Sequence, residues 1–237
     1  MAFGRCLSIY IAITATAADG SSVSSEAFEV TVYPVAQSVQ IYTEQNGRWL
    51  NRSNTTFQWD MSTALQNTMN LDARVFPRYG EGSEFDAIQS VTWKSSAPKV
   101  ADFRKDVNGN CILSDDGNMI LDVYKTGTTT ITVTAADGSG QKATFKLNVI
   151  KTVTSLTIAN QTVLSGKSIN LNKVITINPN DATNKKLTWT IISGSEYATI
   201  SNGNFKAKKV TETKTVEVKV ASQDGGASTT FYVTITP

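Results

Sequence analysis

Short runs of alternating apolar and polar residues fill this chain. Leu71, Ala73 and Val75 alternate with Asp72, Arg74 and Phe76, and a period of two turns the apolar side chains to one face of a strand. The runs are bounded by Gly, Asn, Asp or Pro, which turn a chain. The pattern predicts an all-β protein built from many short strands. In the last third, strands are expected over residues 155–158, 168–177, 186–192, 198–200, 204–208, 214–221 and 229–236.

One phrase is written three times. It stands as ITATAADGSS from Ile13, ITVTAADGSG from Ile131 and, more loosely, VKVASQDGGA from Val218. Each copy is followed by a strand-like run: FEVTVYP from Phe28, FKLNVIK from Phe145 and FYVTITP from Phe231. Such an internal repeat predicts tandem domains. Asp137-Gly138 and Asp224-Gly225 are hairpin turns joining the last two strands of a unit. A second marker, VTWKSSAPKVADF around Trp93, matches LTWTIISGSEYATI around Trp189. About seven short strands per unit fit an antiparallel Ig-like sandwich, with the tryptophan as a plug between its two sheets. The expected organisation is a partial domain over 1–34 holding only the last two strands, a domain over 35–150 with an insertion at 43–70, and a domain over 151–237. Linkers near Pro34 and Lys151 are only a few residues long. Two strands alone are barely stable in water, so the first piece is predicted to pair with something, in cis or between chains.

Composition narrows the possibilities. A 40% hydrophobic and 18% charged chain is too apolar for disorder. No run of 18 apolar residues exists, so no helical membrane span is expected. The net charge of +2 divides as −2 before Pro34, −1 through Ile150 and +5 beyond. The excess is carried by lysines such as Lys185, Lys186, Lys206, Lys208 and Lys209 without arginine. That favours a solvated face over a nucleic-acid partner. Cys6 and Cys111 lie in different repeats and make no disulfide framework, although a bond between them stays open. The apolar run from Cys6 to Thr14, followed by Ala15-Thr16-Ala17, has the look of a secretory signal. Its end aligns with Ile131–Gly138 inside the chain, so it is taken as a strand.

Catalytic chemistry is hard to build here. Without histidine there is no Ser-His-Asp or Cys-His pair, and two cysteines cannot complete a zinc site. There is no phosphate-binding glycine loop. Asp115-Asp116 sits in a turn-like SDDGN stretch rather than in a carboxylate pair across a groove. Asp106, Asn108 and Asn110 alternate like the start of a calcium loop, but Cys111 and Gly117 stand where that loop needs Gly and Glu. The expectation is no enzyme, no cofactor and no metal. What is not repeated is the insertion NGRWLNRSNTTFQWDMSTALQN from Asn46. Its Arg48, Trp49, Phe57 and Trp59 are candidate ligand contacts, since interfaces favour aromatics and arginine. An extra hairpin covering an open sheet end, with Trp49 and Trp59 packed down, is the plainer reading and the favoured one.

The order of markers resembles the bacterial Ig-like domain group 2 family. The residues that carry the likeness are INPNDATNKKLTW, YATISNG and VKVASQDGGASTTFYVTI in the last repeat. In the middle repeat they are VTWKSSAPKVADF and YKTGTTTITVTAADGSGQKATFKLNV. The middle repeat departs by its insertions. The last has Thr213-Lys214-Thr215 where the family has Gly-Thr. The resemblance implies a non-catalytic structural or adhesive segment of a bacterial cell-surface or secreted protein, serving as spacer and ligand-binding stalk. Its partners would be an unidentified protein or glycan on another surface and neighbouring Ig-like domains. Alternatives are an accessory carbohydrate-binding module of a secreted enzyme, with Trp49 and Trp59 as stacking platform, and a phage virion decoration domain.

Overall fold

The computed structural model describes residues 9–64, 66–78 and 87–237. Cys6, and with it any bond to the exposed Cys111, lies outside the described residues. The start of the signal-like run lies outside them too. Its end is strand β1 (Ile9–Ile13), which pairs antiparallel with β2 (Phe28–Val32) in a sheet of two.

The middle repeat follows as β3 (Ser38–Gln45), β4 (Arg48–Asn51), β5 (Thr56–Asp60), β6 (Thr68–Phe76), β7 (Val91–Ser95), β8 (Ala101–Phe103), β9 (Met119–Val123), β10 (Gly127–Ala135) and β11 (Lys142–Ile150). They form a five-stranded sheet, β4-β3-β6-β9-β8, and a four-stranded sheet, β5-β11-β10-β7. Period-two burial faces the sheets toward each other. Ile41, Leu71, Val75 and Leu121 come from the first, and Ile131, Val133, Phe145 and Leu147 from the second; all are buried. Trp93 pairs with Val133 and its ring lies 5.7 Å from Phe103, so it points into the interlayer space. One polar cluster is buried with these groups. Ser95 Oγ donates to the Ala101 carbonyl at 2.6 Å, and Thr129 Oγ1 accepts from the Ala97 N–H at 3.0 Å.

The last repeat contains β12 (Ser155–Thr157), β13 (Gln161–Leu164), β14 (Ser168–Asn170), β15 (Thr176–Asn178), β16 (Leu187–Ser193), β17 (Ala198–Ser201), β18 (Asn204–Ala207), β19 (Lys214–Ser222) and β20 (Ser228–Thr236). One layer is β13-β20-β19-β16; the other is made of β12-β15 and β14-β18-β17. Leu171, Phe205 and Ala207 pack with Val218, Phe231 and Val233 in one core. Trp189 meets Phe231 edge-on at 6.3 Å. The protein is therefore all-β, with tandem Ig-like antiparallel sandwiches.

Two local expectations fail. The single strand expected over 168–177 is broken by a 3₁₀ turn at Leu171–Lys173. Asn170 caps this turn by accepting the Asn172 N–H at 3.0 Å, and Leu171 is driven fully inside. The two halves then serve different sheets. Strand β13 is absent from the expected set because its four residues bury only Val163, too little alternation to register.

By internal contacts the chain divides into two units. One comprises Met1–Phe57 and Asn67–Asn148; the other comprises Gln58–Gln66 and Val149–Pro237. The division runs through β5 and β11. In the second unit, Asp60 accepts from the Thr152 N–H at 3.2 Å and from its hydroxyl at 2.6 Å. Ser62 Oγ donates to the Thr152 carbonyl at 3.0 Å. Burial would raise the Asp60 pKa, but these bonds and those from Ser62 hold it below the ordinary value.

The repeated Asp-Gly does more than turn the chain. Asp137 Oδ2 accepts the Ala36 N–H at 2.6 Å, and Asp224 Oδ2 accepts the Val153 N–H at 2.8 Å. In each complete repeat the last hairpin thus holds the start of its own first strand. Gly226 lies in the same clamp, so close to Val153 that a Cβ would stand 2.0 Å from its carbonyl oxygen.

Candidate functional site

The insertion builds an edge. Asn46 (φ 53°) and Gly47 (φ 72°) make a two-residue left-handed turn between β3 and β4, the geometry Asn-Gly favours. Strand β4 then lines the edge of the five-stranded sheet, with Trp49 opposite Glu44 and Asn51 opposite Tyr42. Tyr42 faces Asp72 across β6, and Gln40 faces Arg74. These side chains share the outer face, turned away from the core.

A groove of about 540 Å³ lies on this face, lined by Trp49, Asp72, Arg74, Phe76, Asp116 and Asn118 among others. Arg74 is held in place rather than loose. Its Nε donates to Asp72 Oδ2 at 3.0 Å, and its guanidinium lies 4.2 Å from the Tyr42 ring centre. The Tyr42 hydroxyl donates to Gln40 Oε1 at 2.6 Å, and Asn51 Nδ2 donates to the same oxygen at 2.9 Å. A half-exposed ion pair of this kind adds little stability. It does fix a planar cation beside an aromatic edge and a carboxylate, which suits hydroxyl, amide or carboxylate ligands.

The sequence candidates are dispersed. Trp49 lines the groove. Arg48 is its neighbour on β4 and points the other way, beside Gln45, Asn46 and Leu50. Phe57 and Trp59 lie on β5, in the four-stranded sheet, whereas Trp49 belongs to the five-stranded one. Phe57 is half-buried with the Arg52 guanidinium 4.3 Å from its ring centre, and Arg52 also donates to Thr43 and Gln45. The indole nitrogen of Trp59 is buried. Trp49 and Trp59 are thus not brought onto one sheet as a joint platform. Tyr42, Asp72, Arg74 and Asn118 were not singled out from sequence. The outward phase of Asp72, Arg74 and Phe76 was visible there, but not that Trp49 would lie alongside them. At the calcium-like string, the Asp106 carboxylate accepts from the Asn108 and Asn110 N–H groups at 2.9 and 2.8 Å. Those bonds close a turn and hold the Asp106 pKa below its ordinary value.

A second feature concerns the ends of the last sandwich. Its strand β13 runs parallel to the final strand β20, in register from Gln161 opposite Val233 to Leu164 opposite Thr236. In the middle repeat the bonds around β5 advance in the same sense. Asn54 N–H reaches the Thr144 carbonyl, Lys146 N–H the Thr55 carbonyl, and Met61 N–H the Ile150 carbonyl.

No family model matches the chain, and no curated protein matches it. Among solved structures it is similar to Sidekick-1 immunoglobulin domains 1–5, at 9% identity and a TM-score of 0.42, over 100% of this chain and 48% of that one. It is similar to protocadherin gamma B7 extracellular cadherin domains 1–4 at 11% identity and a TM-score of 0.35, over 98% of this chain. A further likeness is to the surface layer protein SbsC, domains 1–6, at 14% identity and a TM-score of 0.28, over 95% of this chain. The chain spans 58% of the protocadherin structure and 32% of the surface layer protein.

Proposed function

We propose that this chain is a non-catalytic, load-bearing segment of a bacterial cell-surface or secreted protein, a spacer that also presents a contact surface. The observation that carries this reading is the parallel pairing of an early strand with the last. Tension on the two ends of such a repeat draws β13 and β20 in opposite directions. All the hydrogen bonds between them are then loaded together, in shear. Strand β12, with three pairs to β15, gives way first and leaves the shear pair to resist.

Single-molecule pulling tests this. The chain held by its two ends should show a high-force event for the last repeat. Held instead at residue 214 and at the C-terminus, β19 and β20 separate one pair at a time, because Lys214 lies opposite Ile235. The expected force is several-fold lower. Equal forces in the two geometries would remove the support for load bearing.

The groove beside Trp49 supports a second role, as a carbohydrate-binding module or adhesive face. Glycans should then bind the full chain in an array, and Trp49→Ala or Arg74→Ala should abolish that binding. Retention in both variants would place any glycan contact elsewhere.

A further inference from the structure

The geometry points to the β1–β2 hairpin as the receiving half of a strand-complemented sandwich. Its partner is a polypeptide segment carrying the opening strands of an Ig-like repeat of this same type. Three features of the hairpin converge on that occupant.

The first is its face. Ile11 pairs with Val30 and Ile13 with Phe28, so these four side chains stand on one side, as does Val32. Position by position they match strands that are covered in the complete repeats. Ile13 is 54% exposed, whereas its counterpart Ile131 is buried. Phe28 is 70% exposed, whereas Phe145 and Phe231 are 1% and 3% exposed. A core face of this kind left open is a docking surface.

The second is its edges. In the complete repeats the corresponding hairpins are flanked on both sides: β10 by β7 and β11 by β5, β19 by β16 and β20 by β13. Among the described residues, β1 and β2 have only each other. An unfilled edge takes an added strand through its backbone groups. The missing neighbours are therefore specified. A tryptophan-bearing strand runs antiparallel along β1, and a parallel strand lies along β2.

The third is Asp19. It matches Asp137 and Asp224, each of which accepts an N–H from the start of a first strand. Asp137 divides its work, with Oδ1 to the Ser139 N–H and Oδ2 to Ala36. Asp19 Oδ1 accepts the Ser21 N–H at 2.9 Å in the same way and the Ser21 hydroxyl also bonds the carboxylate, but among the described residues no first-strand N–H reaches it. The start of the incoming first strand supplies one. A second copy of this chain would meet only the face. Its own opening strands are already closed by β10–β11 and β19–β20, so neither the edges nor Asp19 would be served.

The probe is a synthetic polypeptide of residues 151–213, the opening strands of the last repeat without β19 and β20, added to the full chain. Hydrogen exchange in residues 9–13 and 28–32 should slow by about tenfold or more. The effect should vanish in Phe28→Asp and in Ile13→Asp and weaken in Asp19→Asn. Exchange in β19 and β20 monitors the integrity of the variants. A second arm joins the same segment through a flexible linker ahead of Met1, and there the hairpin should reach the protection of β19 and β20. The proposal is overturned by an unprotected hairpin in that fusion. Protection that persists in Phe28→Asp also overturns it, as does a Phe28-dependent dimer of the chain that protects the hairpin without any probe.

Discussion

Replacing Phe231 by alanine is expected to remove about 3–5 kcal/mol from the last repeat, the usual cost of deleting a buried phenylalanine together with the cavity it leaves. Phe231 is 3% exposed, packs with Val218 and Val233, and meets the edge of Trp189. The residues it packs with are apolar, and a cavity with apolar walls stays dry. The same substitution at Phe28 removes an exposed ring and should change stability by less than about 0.5 kcal/mol. A chain with several sandwiches does not melt as one unit, so hydrogen exchange resolved by strand is the measurement to make. Phe231→Ala should speed exchange throughout β13, β16, β19 and β20 while leaving β10 and β11 as they are. An equal, small effect at Phe231 and Phe28 would mean that the repeated phenylalanine is not a core anchor.

The second large effect is expected at the clamp of the last hairpin. Gly226→Ala forces a Cβ to within 2.0 Å of the Val153 oxygen and 3.1 Å of its carbonyl carbon. Both are backbone atoms, so the loop or the start of the repeat has to move. That strain costs roughly 1–3 kcal/mol. It also pulls Asp224 from the Val153 N–H. Asp224→Asn isolates the charge. The side chain is only partly buried, so its bond contributes about 1 kcal/mol after allowance for solvent. Burial tends to raise the Asp224 pKa, but the bonds from Val153, Ser222 and Gly226 outweigh it and hold the group below its ordinary 3.8. A depressed carboxylate pKa stabilises the fold fully above the unfolded value and loses that contribution as pH falls through the folded one. The wild-type repeat should therefore lose more stability than Asp224→Asn as pH drops from about 5 to about 2. Parallel pH profiles for the two proteins would show that the clamp contributes nothing.

Much of the fold was legible because sandwiches advertise themselves. Alternation in β6, β10, β11, β19 and β20 is nearly unbroken, and the Asp-Gly turns join the strands expected of them. Trp93 and Trp189 face the space between their sheets. The strand break at Leu171 was not legible, because Ser168–Ile177 carries enough apolar residues to pass for one strand. The turn depends on Asn170 capping Asn172, and on Asn172 Nδ2 donating to the Asn202 carbonyl at 2.8 Å, a residue in another hairpin. The candidate site was legible only in part. Trp49 stood out by composition. Its neighbours Arg74 and Asp72 come from a strand beyond the insertion, and only sheet order places them beside it. The reach of Asp137 and Asp224 to Ala36 and Val153 was hidden for the same reason. Hairpin chemistry explains an Asp-Gly locally, and nothing local signals a bond to the far end of the repeat.

The parallel strand pair also governs when a repeat can finish folding. β13 and the end of β20 are about 70 residues apart in the chain, and contacts of such separation fold slowly because loop closure is met before it is rewarded. On a ribosome, the opening strands of each sandwich emerge well before the strands that close it. During that interval their inner face is exposed, and a TAADG-type hairpin from the neighbouring repeat, nearly identical over its first strand and turn, offers a fit. The wording shared by Ile13–Gly20 and Ile131–Gly138 makes strand exchange between neighbouring repeats a hazard of synthesis. Clamps such as Asp137 to Ala36 tie a closing hairpin to its own first strand once it has docked, but Asp19 offers an incoming first strand the same acceptor, so the clamp by itself does not select the partner.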